Sequence, residues 1–549
     1  MTDTQIGSAK KARTLFECAD RQGLRIPSSC SRMGRCHECI VEVSSGYENL
    51  SEPSDPESFL AKPYRLACQA SVQGSCKDSK FQPLWKETKV LRSEEALDPS
   101  WEMDPPVSLR EDDVLYYGEL IGRRRNALLG VSVDLGTTTI AIELVELTTG
   151  VVQASCGIDN PQSFGGSDVM NRISYDGEPN NVGELQKAAV SAINREVRNL
   201  TGAIGCTPVD VHELVVVGNT TMRDLFFGLD VQPIGQRPYR SVTEEGRRER
   251  GTSTSLDFRA RDLGVRINRQ AHAYGPPILS GHLGSDVVCA LAAVRMMGFD
   301  PSVGPEPGTS MFVDVGTNTE IVIRHKGVLY AASTPAGPAF EGGEISCGMR
   351  AFNGAIESLQ LGDNGIPSEF LVIGDETPKG FCGSGLIDLL AELRSAGIID
   401  EQGVLFQDSK IREFDLKGGI DLSVSRNDMS LLCQAKAANY SGQYLLMQEA
   451  GIGPSDIDTF YLSGAFANYV DPCNAVSIGF LPPVAPERIR KVGNAASLGA
   501  RMLLLSDKLR NRVELQQGDV KHLELEMCEG FFDAFVEGCQ IKPMPMVIT

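Results

Sequence analysis

The feature that most restricts this chain is a long-period internal repeat. Residues 130–158, GVSVDLGTTTIAIELVELTTGVVQASCGI, and residues 310–337, SMFVDVGTNTEIVIRHKGVLYAASTPAG, carry the same pattern. Each is a short β-branched run ending in Asp-x-Gly-Thr, then a second apolar run, a tight turn and a third. Asp134 and Asp314 occupy equivalent places. Each meander is followed by helical stretches and then by another strand ending in glycine, at Gly218 and at Gly464. A repeat of this length predicts two α/β lobes related by a pseudo-twofold axis.

A strand that ends in Asp and turns through Gly-Thr presents a carboxylate and a run of backbone N–H groups, a combination suited to phosphate. With two copies facing each other, Asp134, Gly136, Thr137 and Thr138 would hold one side of a triphosphate, and Asp314, Gly316, Thr317 and Asn318 the other. The two carboxylates would bind Mg²⁺ through water. The alternative, ordinary hairpin turns, fits poorly because those favour Asn-Gly or Asp-Gly without trailing threonines.

The amino-terminal 83 residues carry different chemistry. Cys30, Cys36 and Cys39 stand as C-x5-C-x2-C, and Cys68 follows in RLACQ. Thiolates so spaced can wrap a loop around a two-iron cluster while the fourth ligand arrives from a later strand. Gly34 lets the loop backbone come close to the sulfurs. A structural zinc site is the alternative, although zinc ligands usually come as two close pairs rather than three plus one. The extra residue in the first gap resembles the adrenodoxin branch of the ferredoxin fold, which implies a [2Fe-2S] cluster. The preceding TLFECADRQGLRIPSSC resembles the ferredoxin helix, and IVEVSSG the strand after the cluster loop. Cys18 and Cys76 fall outside the pattern and read as packed thiols; His37 reads as a loop residue beside a complete set of four cysteines.

At 549 residues the chain should hold several compact units. Periodicity fades over 84–129, where Pro99, Pro105 and Pro106 accompany many acidic residues, so this stretch reads as an acidic linker. The expected organisation is a ferredoxin-like module over 1–83, the linker over 84–129, and lobes over 130–305 and 306–549. A net charge of −20 argues against nucleic acid. Arg123 to Arg125 and the Arg247, Arg248, Arg250 group read as solvated loop charges. No apolar run reaches the roughly 18 residues of a membrane span. The first residues carry no export signal, which leads to a cytoplasmic expectation, and the 15 cysteines then read as thiols and metal ligands rather than disulfides.

The paired Asp-Gly-Thr turns resemble the phosphate motifs of the acetate kinase, sugar kinase, Hsp70 and actin (ASKHA) superfamily, with Ser463, Gly464 and Ala465 at the position of its adenosine loop. Further motifs narrow the likeness: NPQSFGGSDVMNRI from Asn160, VVGNTTM from Val216, AGPAFEGGEISCGM from Ala336, FCGSGLID from Phe381, SGAFANYVDP from Ser463 and VGNAASLGA from Val492. With the cysteine module they resemble the reductive activators of corrinoid-dependent methyltransferases and corrinoid iron-sulfur proteins. The resemblance implies an α/β chain, a ferredoxin-like α+β module followed by a two-lobed actin-like, RNase H-like ATPase domain. It implies a [2Fe-2S] cluster, ATP and Mg²⁺ as cofactors, a corrinoid protein as client, an external electron donor, and neither nucleic acid nor membrane as partner. A homodimer is compatible with it. Where such activators carry LAGGFG, this chain has LSGAFA.

Two rivals share parts of this logic. An activator of a radical dehydratase would use the same ATPase but a [4Fe-4S] cluster between subunits; a ferredoxin with a regulatory nucleotide domain would need no client. A small-molecule kinase would have no use for a redox cluster. Asp168 and Asp286 read equally well as water-positioning or partner groups and as helix caps. Cys347 and Cys382 read as packed thiols, and His272 and His282 as loop histidines within reach of a cobalt.

Overall fold

The computed structural model describes residues 13–85, 87–88, 103–299, 308–362, 367–404, 412–416, 420–464 and 466–548. The two repeats form the centres of two mixed sheets. In the first, strands Leu129–Leu135, Thr139–Glu146 and Val152–Asp159 run as an antiparallel meander, and Val211–Val217 joins the first of them in parallel. In the second, Ser310–Val315, Asn318–His325 and Val328–Pro335 repeat the meander, and Thr459–Ser463 adds in parallel. Leu129–Leu135 and Val211–Val217 are buried along almost their whole length, which explains why they read as continuous apolar runs rather than alternating ones.

Register places the two acids alike. Asp134 lies beside Val217 and Asp314 beside Ser463, each at the carboxyl end of its strand, where a parallel strand pair opens a crevice. Helices Ser285–Ala293 and Ala495–Leu505 contribute to one apolar core that draws on both sheets. Gly499 makes their approach close, because a Cβ there would lie 1.9 Å from the carbonyl oxygen of Cys289.

The amino-terminal module has the expected helix, Leu15–Gln22, started by a Thr14/Glu17 capping box and ended by Gly23 in the left-handed region. Strand Ile40–Ser45 pairs with Tyr64–Leu66 and Lys80–Pro83. Its buried residues belong to the same apolar cluster as Leu129, Val131 and the helix Glu184–Ala203. The module is therefore packed onto the first lobe.

Three expectations fail here. Within the stretch read as an acidic linker, residues 107–123 form a three-stranded antiparallel sheet, Val107–Arg110, Asp113–Tyr116 and Glu119–Arg123. Val107, Val114 and Tyr116 enter the core between the sheets, and Asp104 accepts from Ser506 Oγ at 2.5 Å. Acidic residues at the turns and rims hid a pattern with too few apolar positions to stand out; Pro99 lies outside the described residues. Cys18 and Cys76 are bonded to each other rather than packed as free thiols. Arg247 and its neighbours lie on a helix, Val242–Arg250, rather than in a loop. Among the described residues no helix is long and apolar enough to cross a membrane.

Candidate functional site

The two Asp-Gly-Thr turns meet across a cleft. Thr138 Oγ1 and Thr317 Oγ1 are 3.4 Å apart, although they come from different lobes. Between the turns lies a cavity of about 240 Å³, lined by every described residue expected to touch nucleotide: Asp134, Gly136, Thr137, Thr138, Asp314, Gly316, Thr317, Asn318, Ser463 and Gly464. Ala465 lies outside the described residues. Arg350 of the second lobe forms an ion pair with Asp159 of the first, so a charge contact crosses the cleft.

Each acid is held by a neighbour. Asn494 donates from Nδ2 to Asp134 at 2.7 Å, and Ser463 Oγ donates to Asp314 at 3.1 Å. Ser463 thus supports the second acid, and Gly464 donates its N–H to the Gly493 carbonyl at 3.1 Å, which joins this loop to the one bearing Asn494. Asn219 Nδ2 donates to Thr137 Oγ1 at 3.0 Å, and Thr317 Oγ1 donates to Glu341 at 2.8 Å.

Two further carboxylates, Asp286 and Glu320, face the same cavity. Burial pushes Asp134 up to about 6, with the Asn494 hydrogen bond opposing and the Glu143 charge adding. Burial pushes Asp314 up to about 7, against the Ser463 hydrogen bond. Asp286 rises to about 7 through burial and then the charge of Asp134. Glu320 is raised well above the ordinary range by burial, then by Asp286 and Asp314. Arg350 is the cationic side chain among the described lining residues, and it is already paired. Four crowded carboxyls beside backbone amides match a hard divalent cation with a polyphosphate: oxygen ligands for the ion, N–H groups for the phosphate.

Asp168 proves to be a cap, accepting from Asn171 N at 2.9 Å. Asp286 is the one that reaches the cavity. Glu320, Asn494, Asn219 and Glu341 were missed by sequence reasoning. Glu320 could have been found, since it follows the second turn in DVGTNTE and sits on a strand whose alternate residues face the same side.

In the amino-terminal module the four expected cysteines converge. Cys39 Sγ and Cys68 Sγ are 3.4 Å apart, and the Cys30 and Cys36 thiols share a hydrogen bond. The thiols therefore come as two pairs, with 30 beside 36 and 39 beside 68. Among the described residues no group of three or more His, Cys, Asp or Glu side chains is placed to hold a metal ion. Two thiols for each of two irons is the arrangement a two-iron cluster takes, and the spatial pairs are compatible with it. The Cys39 thiol is driven strongly upward by its hydrogen bond to Cys68 and by burial, whereas Cys68 is lowered to about 6 by the same bond. Both thiols must give up their protons to serve as iron ligands. Donors are also present: Arg35 N–H lies 3.4 Å from Cys30 Sγ, and Gln69 Nε2 lies 3.2 Å from Cys68 Sγ. Gly34 has φ of +72°, and a Cβ there would lie 3.0 Å from Pro56 Cβ and 3.2 Å from the Gln69 amide, so backbone and neighbours both favour glycine.

His37 is set apart from the thiols by packing on Phe59. His272 is held by Asp257 at 2.6 Å and stacks on Tyr116, a structural role. His282 lines a separate cavity of about 210 Å³ with His522, away from the nucleotide cleft. Cys347 and Cys382 are buried, and Cys382 Sγ donates to the Ile356 carbonyl.

Three family models match successive parts of the chain. A family model described as the C-terminal domain of RACo, the ASKHA domain, matches residues 308–548. One described as the RACo middle region matches 129–298, and one for the 2Fe-2S iron-sulfur cluster binding domain matches 3–73. The corrinoid activation enzyme RamQ of Eubacterium limosum is 26% identical over 94% of this chain and 94% of its own length. The [Co(II) methylated amine-specific corrinoid protein] reductase of Methanosarcina barkeri is 23% identical over 76% of this chain and 77% of its own. Among solved structures, a reductive activator for corrinoid, iron-sulfur protein superposes with a TM-score of 0.70 at 27% identity, covering 98% of this chain and 96% of that one.

Proposed function

This chain belongs to the family of reductive activators of corrinoid proteins, and from that premise we propose that it uses ATP to return an oxidised Co(II) corrinoid protein to Co(I). The observation that carries the reading is the pairing, in one chain, of a carboxylate-lined cleft between two phosphate turns with two pairs of thiols.

The division of labour follows the two sites. Cys30, Cys36, Cys39 and Cys68 would hold a [2Fe-2S] cluster, which supplies a one-electron carrier when bound. Gly136, Thr137 and Thr138 on one side and Thr317 and Asn318 on the other would present backbone N–H groups to a triphosphate, while Gly316, whose N–H is taken by the Asn318 carbonyl, shapes the second turn. Asp134 and Asp314 would hold Mg²⁺, and Ser463 and Gly464 would approach the adenosine. The segments 1–83, 130–305 and 306–549 then act as electron module and two nucleotide lobes.

ATP is needed for a thermodynamic reason. Each 59 mV of unfavourable potential in a one-electron step costs about 1.4 kcal/mol, so a gap of a few hundred millivolts stops transfer unless another reaction drives it. Closure of the two lobes on ATP can favour a client complex in which Co(II) loses a ligand and accepts an electron more readily. An external donor resupplies the electron. The setting we infer is the cytoplasm, with a homodimer as the candidate assembly and without nucleic acid or membrane partners.

The test is anaerobic spectroscopy of a Co(II) corrinoid client mixed with this protein and a strong reductant. The Co(I) band should appear with ATP and fail to appear without it. A reducible cluster with no Co(I) across several clients would overturn the reading in favour of a nucleotide-regulated ferredoxin.

A further inference from the structure

The cluster loop is built into the nucleotide lobe. His37, between two of the cluster cysteines, has 3% of its side chain exposed, and its Nδ1 lies 2.8 Å from Oε2 of Glu184 in the first lobe. Its ring stacks on Phe59 with centroids 4.1 Å apart. Phe59 meets Phe164 of the lobe edge-on at 5.6 Å, and Phe164 meets Tyr175 in the same way. The Tyr175 hydroxyl donates to the Phe59 carbonyl at 2.6 Å.

The same elements reach the first phosphate turn from behind. Asn160 donates from Nδ2 to the Gly136 carbonyl and from its backbone N–H to the Thr138 carbonyl, both at 2.8 Å. It also caps the short helix Pro161–Gly165 that carries Phe164. Arg172, 1% exposed, donates to the Thr137 carbonyl at 2.6 Å and belongs to the helix Val169–Asp176 that carries Tyr175. Three successive carbonyls of the turn are thus held by two residues, through two side chains and one backbone N–H, and both routes converge on Phe59.

We infer that these contacts form a relay through which nucleotide at the first turn and the state of the cluster influence each other, with His37, Phe59, Phe164, Tyr175, Asn160 and Arg172 as positioning residues. The inference rests on the reading of the cleft as an ATP site and goes beyond it by assigning the connection between the two centres. A phosphate that draws on the amides of Gly136 to Thr138 turns peptide planes whose carbonyls Asn160 and Arg172 grip. Side chains this closely packed have no voids in which to absorb the shift, so it passes to the ring against the cluster loop. In the second turn, among the described residues, the Thr317 carbonyl accepts instead from Ala336 and Gly337 of the same lobe.

Linkage makes the relay measurable without client turnover, because an effect of nucleotide on the cluster implies an equal effect of cluster state on nucleotide affinity. The experiment titrates the cluster-loaded protein with the non-hydrolysable Mg·AMP-PNP in its oxidised and dithionite-reduced states, by calorimetry, and follows the visible circular dichroism of the cluster. The expected result is an affinity differing about fivefold or more between states, with a nucleotide-dependent change in the cluster spectrum. Glu184→Gln and, independently, Phe164→Leu should bring the ratio toward one, with cluster content retained and oxidised-state affinity within about twofold of the parent. Equal affinity in both states with an unchanged spectrum would overturn the relay and leave the proposed function standing, as would a ratio that persists in both variants. Absence of AMP-PNP binding in either state would overturn the proposed function and the relay together.

Discussion

The two phosphate turns have nearly the same sequence and local shape but different surroundings. In the first lobe the turn carbonyls are gripped by buried Arg172 and Asn160, which lead to the ferredoxin-like module. In the second lobe the turn is closed on itself, with Gly316 N–H to the Asn318 carbonyl, and its threonine is held by Glu341. A duplicated motif can therefore keep its chemistry while one copy is wired to a partner module and the other is left to its own lobe. What separates the copies is the second layer of contacts.

The largest expected effect tests whether the two centres are chemically separate. Asp314→Ala should lower ATP turnover by at least about 10²-fold while the visible spectrum of the cluster stays intact. Cys36→Ser should do the reverse. Loss of both properties from either folded variant would break the two-module account.

Next comes the anchor of the first turn. Arg172→Ala leaves the Thr137 and Gly166 carbonyls without their buried charged donor, and should cost the first lobe about 3 kcal/mol in a urea melt. The corresponding change in the second lobe is milder. Glu341→Gln keeps an acceptor for Thr317 Oγ1 and should cost less than about 1 kcal/mol, seen as a shift of a few fold in nucleotide affinity. Equal effects from the two substitutions would remove the asymmetry between the lobes.

The smallest effect concerns the module itself. Burial would raise the Glu57 carboxyl, but Arg65 at 2.8 Å outweighs it and holds Glu57 below its ordinary value. A carboxylate with a depressed folded value contributes stability that is present above its unfolded value, about 4.3, and is lost as pH falls through the folded one. Because Glu57 also accepts from Leu66 N–H at 3.0 Å, on the strand that leads to Cys68, the module should loosen in that acid window. Thermal melts of the module against pH check this, and Glu57→Gln should flatten the dependence. A parent and a variant with the same acid profile would exclude the pair as its cause.

Much of the site could be read along the chain. The repeat, the two acids and the turns were legible because phosphate-binding turns are local: four or five consecutive residues set both the backbone path and the groups it presents. The cysteine set was legible for the same reason, since three ligands lie on one loop. The sheet over 107–123 was not, because its strands are short and gain stability only against Tyr274 and the helix Ser285–Ala293 in a shared core. Asn494 and Asn219 were missed because each comes to the cavity from an element far from the turns in sequence. Nor could spacing show that Cys18, on the helix Leu15–Gln22, would find Cys76 on a distant loop.

The sequence by itself determined the chemistry available to this protein: which acids, amides and thiols exist, and which of them local geometry must group together. Tertiary structure decided the neighbours. It packed the amino-terminal module on the first lobe, gathered Asp134, Asp286, Asp314 and Glu320 around one cavity, and set His37 against Phe59. Those outcomes depend on how apolar faces far apart in sequence share a core, and the free energy of that packing resides in no single segment of the chain.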